Sequence, residues 1–201
     1  MQLSERQAAI LEATLCVVAR EGLSGFTMKK VAAEVGVTDA ALYKHFREKT
    51  DIFEALASLF RERTLDALMR IVALPGLSAL KKLEVFVMDR ARQFQAEPGL
   101  TVILFSEELF RGEPTIAALN VETMERHAQL LRNLVTEGQS EGSIRADLNP
   151  YHVVLLLTGP VRMLVENWRS QPEDVLVERI GQFWNTFASL MQPDSHLTKI
   201  P

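Results

Sequence analysis

Apolar residues recur at intervals of three and four along almost the whole chain, and this spacing restricts the fold more than any other feature. It is typical of amphipathic helices. No stretch alternates apolar and polar residues between hairpin turns, as a half-exposed strand would. Glycine and proline residues separate the apolar segments. The sequence therefore predicts an all-α protein of about nine helices.

Several helix ends are marked by residue type. Ser4, followed three residues later by Gln7, predicts a capping box at the first helix. Asn149 before Pro150 predicts another start, because proline suits the first helical position. By the same reasoning Pro172 opens the last helix.

The helix lengths divide the chain into three parts. One long helix and two short ones fill residues 1–48, longer helices fill residues 49–192, and residues 193–201 form a tail with little apolar content, which we expect to be frayed. Residues 100–110 are predicted as one helix of the second part.

Composition narrows the class of protein. With 47% hydrophobic residues the chain can bury a core, but its apolar runs are far shorter than the roughly 20 residues of a membrane helix. The N-terminus shows no secretion signal. The single cysteine, Cys16, lies on an apolar helix face and is predicted to be an inert core thiol. We expect a soluble cytoplasmic protein that contacts no membrane.

Charge is distributed unevenly along the chain. Residues 1–50 carry seven basic and six acidic side chains, whereas the remainder carries 15 basic and 20 acidic ones. A slightly basic front end on an acidic body is typical of a protein that contacts a polyanion with one end.

Residues 27–49 have the pattern of a helix-turn-helix. Gly36 permits the positive backbone angle of a sharp turn, Ala32 allows two helices to cross closely, and Thr38 caps the next helix. The predicted apolar contacts of the motif are Val31, Val35, Val37, Leu42 and Phe46.

Small, aromatic and basic residues are left facing outward on the second short helix. A helix with such a face fits a major groove about 12 Å wide. A helix-turn-helix is also a packing unit in proteins that bind no DNA, so the spacing alone leaves both interpretations open. The outward positions are Asp39, Ala40, Ala41, Tyr43, Lys44 and His45.

The segment and the helix before it resemble the DNA-binding domain of the TetR/AcrR family of bacterial transcriptional regulators, over about residues 4–60. The matching residues are Phe26-Thr27, Val31-Ala32, Val35-Gly36-Val37-Thr38, Leu42-Tyr43-Lys44-His45-Phe46, Lys49 and Ile52-Phe53. The resemblance implies an N-terminal three-helix DNA-binding domain and a C-terminal helical domain that dimerises and binds a ligand. Members are typically homodimers that bind palindromic operators and release them when a small molecule binds.

The resemblance also implies roles for individual residues. Thr27 and Lys29 would meet the DNA backbone or a groove edge. The Tyr43 hydroxyl and Lys49, which lies at a helix start, would each contact a phosphate. The residues placed near bases or their flanks are Thr38, Asp39, Ala40, Lys44 and His45.

Two positions depart from the family pattern. Ala41 stands where many members carry Ser or Thr, so a hydroxyl–phosphate contact is missing. Asp39 puts a negative charge near the DNA, where it either accepts a hydrogen bond from a cytosine amine or stabilises its own helix N-terminus; we favour the second role.

Catalytic chemistry has no support in the sequence. No two histidines have the spacing of a metal-ligand pair, and phosphate-binding glycine loops and nucleophile elbows are absent. Glu107 and Glu108 are adjacent and point in different directions on a helix. We expect no enzyme activity, no metal and no cofactor.

Two helices near the C-terminus carry more apolar surface than one neighbour can cover. Either they form a central core helix and its neighbour, or one side packs on a second copy in a four-helix interface. For the second interpretation the predicted interface is Val154, Leu157, Val161, Val165, Ile180, Trp184, Phe187 and Met191.

Polar residues on two apolar stripes predict an effector cavity. Arg90 lies between Phe86 and Phe94, and His127 follows Met124. Either Arg90 is a buried arginine paired with an internal acid, or both polar residues line a small-molecule site. Pro160 should kink its helix. The kink is either a feature of the ligand site or only an accommodation of helix packing. The predicted lining is Phe86, Arg90, Phe94, Phe105, Phe110, Met124, His127 and Met163.

These features together predict a dimeric, sequence-specific DNA-binding regulator, a repressor released from double-stranded DNA by an unidentified small molecule. The alternative is a DNA-bound structural or occlusion factor of the same fold, which acts through a protein partner without an effector.

Overall fold

The computed structural model describes residues 3–171 and 173–193; the side chains of Glu107, Glu108 and Phe110 lie outside the description. The fold is all-α, as predicted. The described residues form ten helices: α1 Glu5–Gly25, α2 Met28–Val35, α3 Asp39–Tyr43, α4 Lys49–Val72, α5 Ala79–Ala96, α6 Pro98–Leu104, α7 Glu107–Gly112, α8 Pro114–Glu141, α9 Pro150–Ser170 and α10 Leu176–Met191.

The tenth helix arises because residues 100–110, predicted as one helix, belong to two. Phe105 leaves the helical region, with φ −107° and ψ 12°. The Ser106 hydroxyl then accepts a hydrogen bond from the Leu109 N–H at 3.1 Å and caps α7. A serine in mid-segment thus acts as a cap, which is its usual role at a helix start.

The last helix starts later than predicted. It begins at Leu176, with Val175 as its N-cap residue, whereas residues 173–175 are non-helical. Pro172, the predicted start, lies outside the described residues, as does the part of the predicted tail from residue 194 onward.

Other predicted helix ends are confirmed by hydrogen bonds. The Ser4 hydroxyl accepts from the Gln7 N–H at 3.2 Å while the Gln7 side chain accepts from the Ser4 N–H at 3.1 Å, so the capping box is complete. The Asn149 side chain accepts from the Tyr151 N–H at 2.9 Å. Pro160 lies inside α9, which continues through it as one helix.

The chain packs as two compact units, neither of which is continuous in sequence. The first comprises Met1–Thr64 and Ala96–Met124, and the second comprises Leu65–Gln95 and Glu125–Pro201. The expected boundary after residue 48 coincides with neither limit, because α6, α7 and the start of α8 pack in the same unit as α1–α3.

The core of the first unit joins α1, α2 and α3 to the start of α4. Val31, Leu42 and Phe46 from the helix-turn-helix are buried together with Ile10 of α1. The Phe26 and Phe53 rings lie 5.0 Å apart between centroids. Val35 and Val37 are only partly buried against this core. The apolar contacts predicted for the motif therefore lie where α1, α2, α3 and α4 meet.

The prediction for Cys16 is wrong. The structure exposes its side chain, although the sequence predicted a core thiol. The core face of α1 passes through Thr14, Val17 and Val18 instead, and residue 16 falls beside that stripe.

In the second unit, α9 and α10 pack against each other. The Trp184 and Phe187 rings of α10 lie 5.5 Å apart and are both buried. Within the described part of the chain, no helix is both long enough and apolar enough to cross a membrane.

Candidate nucleic-acid interface and effector site

The turn between α2 and α3 fixes the direction of α3. Gly36 adopts the left-handed conformation, with φ 74° and ψ 37°, which glycine tolerates far better than other residues. The Val37 N–H then donates to the Ala32 carbonyl at 2.9 Å, closing the end of α2. The Thr38 hydroxyl accepts from the Ala41 N–H at 3.2 Å and starts α3.

The outward face of α3 is exposed, as the pattern predicted. Leu42 is fully buried beneath the helix, whereas Tyr43 is exposed. Lys44 and His45 are exposed too, but they lie in the turn after α3, which ends at Tyr43, earlier than predicted. Of the ten residues assigned to DNA contact, only Ala41 is partly buried. The exposed ones are Thr27, Lys29, Thr38, Asp39, Ala40, Tyr43, Lys44, His45 and Lys49.

Ion pairs join α2 to α1 beside this surface. Arg20 of α1 lies 3.1 Å from the Glu34 carboxylate of α2. The Lys30 ammonium donates to the Glu21 carboxylate and, at 2.8 Å, to the Gly25 carbonyl. Lys30 holds the pKa of the Glu21 carboxyl below its usual range. These contacts engage Lys30 within the protein, whereas its neighbour Lys29 projects from the exposed face of α2.

Lys49 is the first residue of α4. The Asp51 carboxylate accepts from the Arg47 N–H at 2.7 Å and from the Glu48 N–H at 3.2 Å, which orders the chain just before the helix. The position of Lys49 at a helix N-terminus is the one that sequence reasoning assigned. An ammonium and backbone N–H groups at such an end are suited to hold a phosphate.

In the second unit, α5 and α8 bring together three of the residues assigned to the effector cavity. The Phe86 and His127 rings lie 4.9 Å apart, and the Arg90 guanidinium carbon lies 5.9 Å from the Phe86 centroid. Arg90 is buried and donates to the Asp89 carboxylate at 2.7 Å and to the Gln93 side chain. Among the described contacts, an acid partner of Arg90 is its sequence neighbour Asp89, which is itself partly exposed.

His127 is the unusual member of this cluster. Its Nε2 atom is buried and makes no hydrogen bond to any residue that the structure describes. Burial, reinforced by the charge of Arg90, lowers the pKa of His127 to about 4. The imidazole is therefore neutral near pH 7, and its buried nitrogen remains available to a bound molecule.

The other residues assigned to the cavity have different surroundings. Phe94 is buried on α5 and Phe105 is partly buried, whereas Phe110 has a side chain outside the description. Met124 is 40% exposed and Met163 is 56% exposed. The prediction that these two residues line a cavity is therefore wrong. Both residues lie on helices with apolar side chains on more than one face, and periodicity alone selected the wrong face.

The predicted dimer interface needs a similar correction. Seven of its eight residues are buried within the single chain, and only Val161 is intermediate. The buried residues are Val154, Leu157, Val165, Ile180, Trp184, Phe187 and Met191. On both helices the continuous apolar stripe faces its own chain.

Sequence reasoning missed the apolar residues on the outer side of these helices. Leu155 and Leu156 of α9 are 50% and 55% exposed, and Leu190 of α10 is 60% exposed. Gly159 lies on the same side of α9 as Met163, with nothing within 4 Å of the place a Cβ would occupy. The run of apolar residues at 153–157 was the available signal, because it covers both faces of one helix.

An exposed recognition-type helix, fixed by a glycine turn over a small apolar core, defines a helix-turn-helix DNA-binding protein. Residues 10–56 match the family described as bacterial regulatory proteins, tetR family. The chain is 25% identical over 180 residues to the HTH-type transcriptional regulator AcrR of Shigella flexneri, covering 86% of this chain and 82% of that protein.

Two further comparisons cover most of the chain. The nucleoid occlusion factor SlmA of Vibrio vulnificus is 31% identical over 136 residues, which span 67% of this chain and 68% of that protein. The transcriptional regulator FadR from Bacillus subtilis, solved in complex with stearoyl-CoA, superposes with a TM-score of 0.72 at 21% identity, over 92% of this chain and 99% of that one.

The chain belongs to the TetR family of bacterial regulatory proteins. It is a DNA-binding transcriptional regulator with an N-terminal helix-turn-helix and a helical C-terminal part.

Proposed function

We propose that the protein is a homodimeric repressor that binds a palindromic operator and leaves it when a small molecule binds its second unit. The observation that carries this proposal is the exposed face of α3 above a buried Leu42, with Lys44 and His45 exposed in the turn that follows the helix. Such a protein acts in the compartment that holds the chromosome, the bacterial cytoplasm, and catalyses no reaction.

The DNA contacts divide into two kinds. Lys49 and the Tyr43 hydroxyl bind phosphates, which positions α3 without reading sequence. Thr38, Ala40 and Lys44 lie closest to base edges, where Lys44 suits a guanine. Asp39 occupies the first turn of α3, where a negative charge stabilises the helix N-terminus.

The second subunit covers the outer face of α9 and α10. A stripe of exposed apolar residues is costly in water, and a two-fold axis lets the same stripe bury itself. Gly159 gives a neighbouring helix room to approach closely. The proposed interface therefore centres on Leu155, Leu156, Met163 and Leu190, and replaces the one first predicted.

The effector binds beside Phe86, Arg90 and His127. A neutral imidazole with an unused buried nitrogen, next to a buried guanidinium and an aromatic ring, favours an apolar molecule with one polar or anionic group. Binding favours a conformation in which the two α3 helices no longer match successive major grooves, about 34 Å apart.

A second candidate function is supported by the similarity to SlmA, a relative named for nucleoid occlusion. In that case the protein binds DNA and acts through a protein partner without a small-molecule effector. The two functions differ in whether any small molecule changes DNA affinity.

The test begins with selection of binding sites from random duplex DNA. The repressor proposal predicts an enriched palindrome. It also predicts that a subsequent screen will find small molecules that dissociate the complex. His127→Leu should change the response to such molecules while DNA affinity stays within a few-fold. An enriched site that no small molecule affects would favour the second candidate. The absence of any enriched sequence would contradict the repressor proposal, and the absence of DNA binding would contradict both.

A further inference from the structure

Between α4 and α5 lies a cleft that is separate from the face of α5 on which Phe86 packs against His127. The C-terminal half of α4, Leu74 just beyond it and the middle of α5 line an open cleft of about 220 Å³. Its floor is apolar and consists of Ala67, Ile71, Leu74 and Val85. Ala67 and Ile71 are almost fully buried, whereas Leu74 at the end of the cleft is half exposed.

The cleft is formed by one regular stripe from each helix. On α5, Val85, Asp89 and Arg92 are spaced by four and three residues and therefore share a face. That face differs from the one that carries Phe86 and Arg90 into the core. The cleft and the proposed effector site therefore lie on different faces of α5, linked at one edge by the Asp89–Arg90 ion pair at 2.7 Å.

Charge at the rim is net positive. Arg70 from α4 and Arg92 from α5 both line the cleft. In the described part of the chain neither guanidinium lies within ion-pairing distance of a carboxylate. Asp89, the acidic residue of the lining, has its carboxylate engaged by Arg90 at 2.7 Å. Two guanidinium groups are thus left to attract an anion.

The geometry points to a small amphipathic carboxylate as the occupant of this cleft. A guanidinium binds a carboxylate through two parallel hydrogen bonds, and the apolar floor removes a hydrocarbon body from water. A cation is excluded by the two arginines, and a sugar phosphate would leave the floor without apolar partners. The cleft of about 220 Å³ is smaller than the roughly 300–1,000 Å³ of pockets that bind drug-sized molecules, so the ligand is small.

Octanoate is a suitable probe, and 1-octanol is its uncharged match. Titration is followed by the methyl NMR signals of Ile71, Leu74 and Val85 in the protein without DNA. We expect octanoate to shift these signals saturably at millimolar concentration or below, and octanol to bind at least 5-fold more weakly. Arg70→Gln and Arg92→Gln should each weaken octanoate binding about 10-fold.

Lys81→Gln is the matched control. It removes one positive charge from the exposed N-terminal end of α5, outside the cleft, and should leave octanoate affinity within 2-fold. Equal binding of octanoate and octanol, an equal effect of Lys81→Gln, or shifts confined to the His127 ring signals would each overturn the inference. The titration uses neither DNA nor the effector, so its failure is separate from any failure of the proposed function.

Discussion

Gly99 of α6 lies directly against the backbone of Leu15 in α1. A Cβ atom built on residue 99 would stand 2.0 Å from the Leu15 carbonyl oxygen and 2.8 Å from its carbonyl carbon. Both distances are far below van der Waals contact, and the obstacle is backbone that no side-chain rotation can move. The contact between α1 and α6 within the first unit therefore requires glycine at this position.

Gly99→Ala should lower the free energy of unfolding by about 1–3 kcal/mol, the usual cost of forcing a methyl group into a packed site. Chemical denaturation followed by circular dichroism measures it. Gly181→Ala is the control, because the nearest atom to its new Cβ is the Met88 methyl at 3.9 Å. In the helix interior that substitution should stabilise by roughly 0.5–1 kcal/mol. Equal effects of the two variants would contradict the close approach.

The proposed dimer face predicts a separation between assembly and folding. Leu156→Asp should yield a folded monomer at micromolar concentration, because Leu156 is already half exposed in the single chain. Trp184→Asp should instead unfold the protein, because it buries an unpaired carboxylate.

Sedimentation and circular dichroism distinguish these outcomes, with the exposed Ala19→Asp expected to remain dimeric. A dimer that survives Leu156→Asp would place the interface elsewhere. A wild-type monomer at the same concentration would contradict the proposed dimer.

Stability should depend on pH through His127. Its pKa is about 4 in the folded chain against an ordinary value of 6.5, so the unfolded chain takes up a proton first as the pH falls. The stability that the neutral imidazole contributes is complete above pH 6.5 and is lost as the pH falls towards 4. The loss amounts to about 3 kcal/mol at that point.

Unfolding free energies of the wild type and of His127→Phe, measured between pH 7 and pH 4, test this expectation. Carboxylates titrate over the same interval in both proteins, so the difference between the two curves isolates residue 127. The wild type should lose stability more steeply than the variant. Parallel curves would mean that the pKa of His127 is the same in the folded and unfolded chain.

The sequence predicted those features that depend on local chemistry. The Ser4–Gln7 capping box, the Gly36 turn and the Thr38 cap each involve neighbours in sequence, and the structure contains all three. Leu42 is buried and Tyr43 is exposed because the five-residue α3 has one core face, which its leucine identifies.

The features that failed depend on which of two apolar faces meets the core. On α9, Val154 and Leu156 are both apolar, yet one is buried and the other is half exposed. The spacing of apolar residues cannot tell which of two such stripes faces the core. Met163 was assigned to a cavity for the same reason. The cleft beside Arg70 was missed because it joins two helices whose stripes become neighbours only in the fold.

The central claim is that α3 reads sequence while Lys49 binds phosphate. Affinity measured against salt for a selected duplex and a scrambled one tests it directly. Lys49→Ala in the homodimer should weaken both complexes alike and reduce the salt slope by about 2, roughly 1 for each phosphate contact. Lys44→Ala should cost about 1–3 kcal/mol per half-site on the selected duplex alone. The opposite pattern, in which Lys49→Ala discriminates between the duplexes and Lys44→Ala does not, would contradict this orientation of α3.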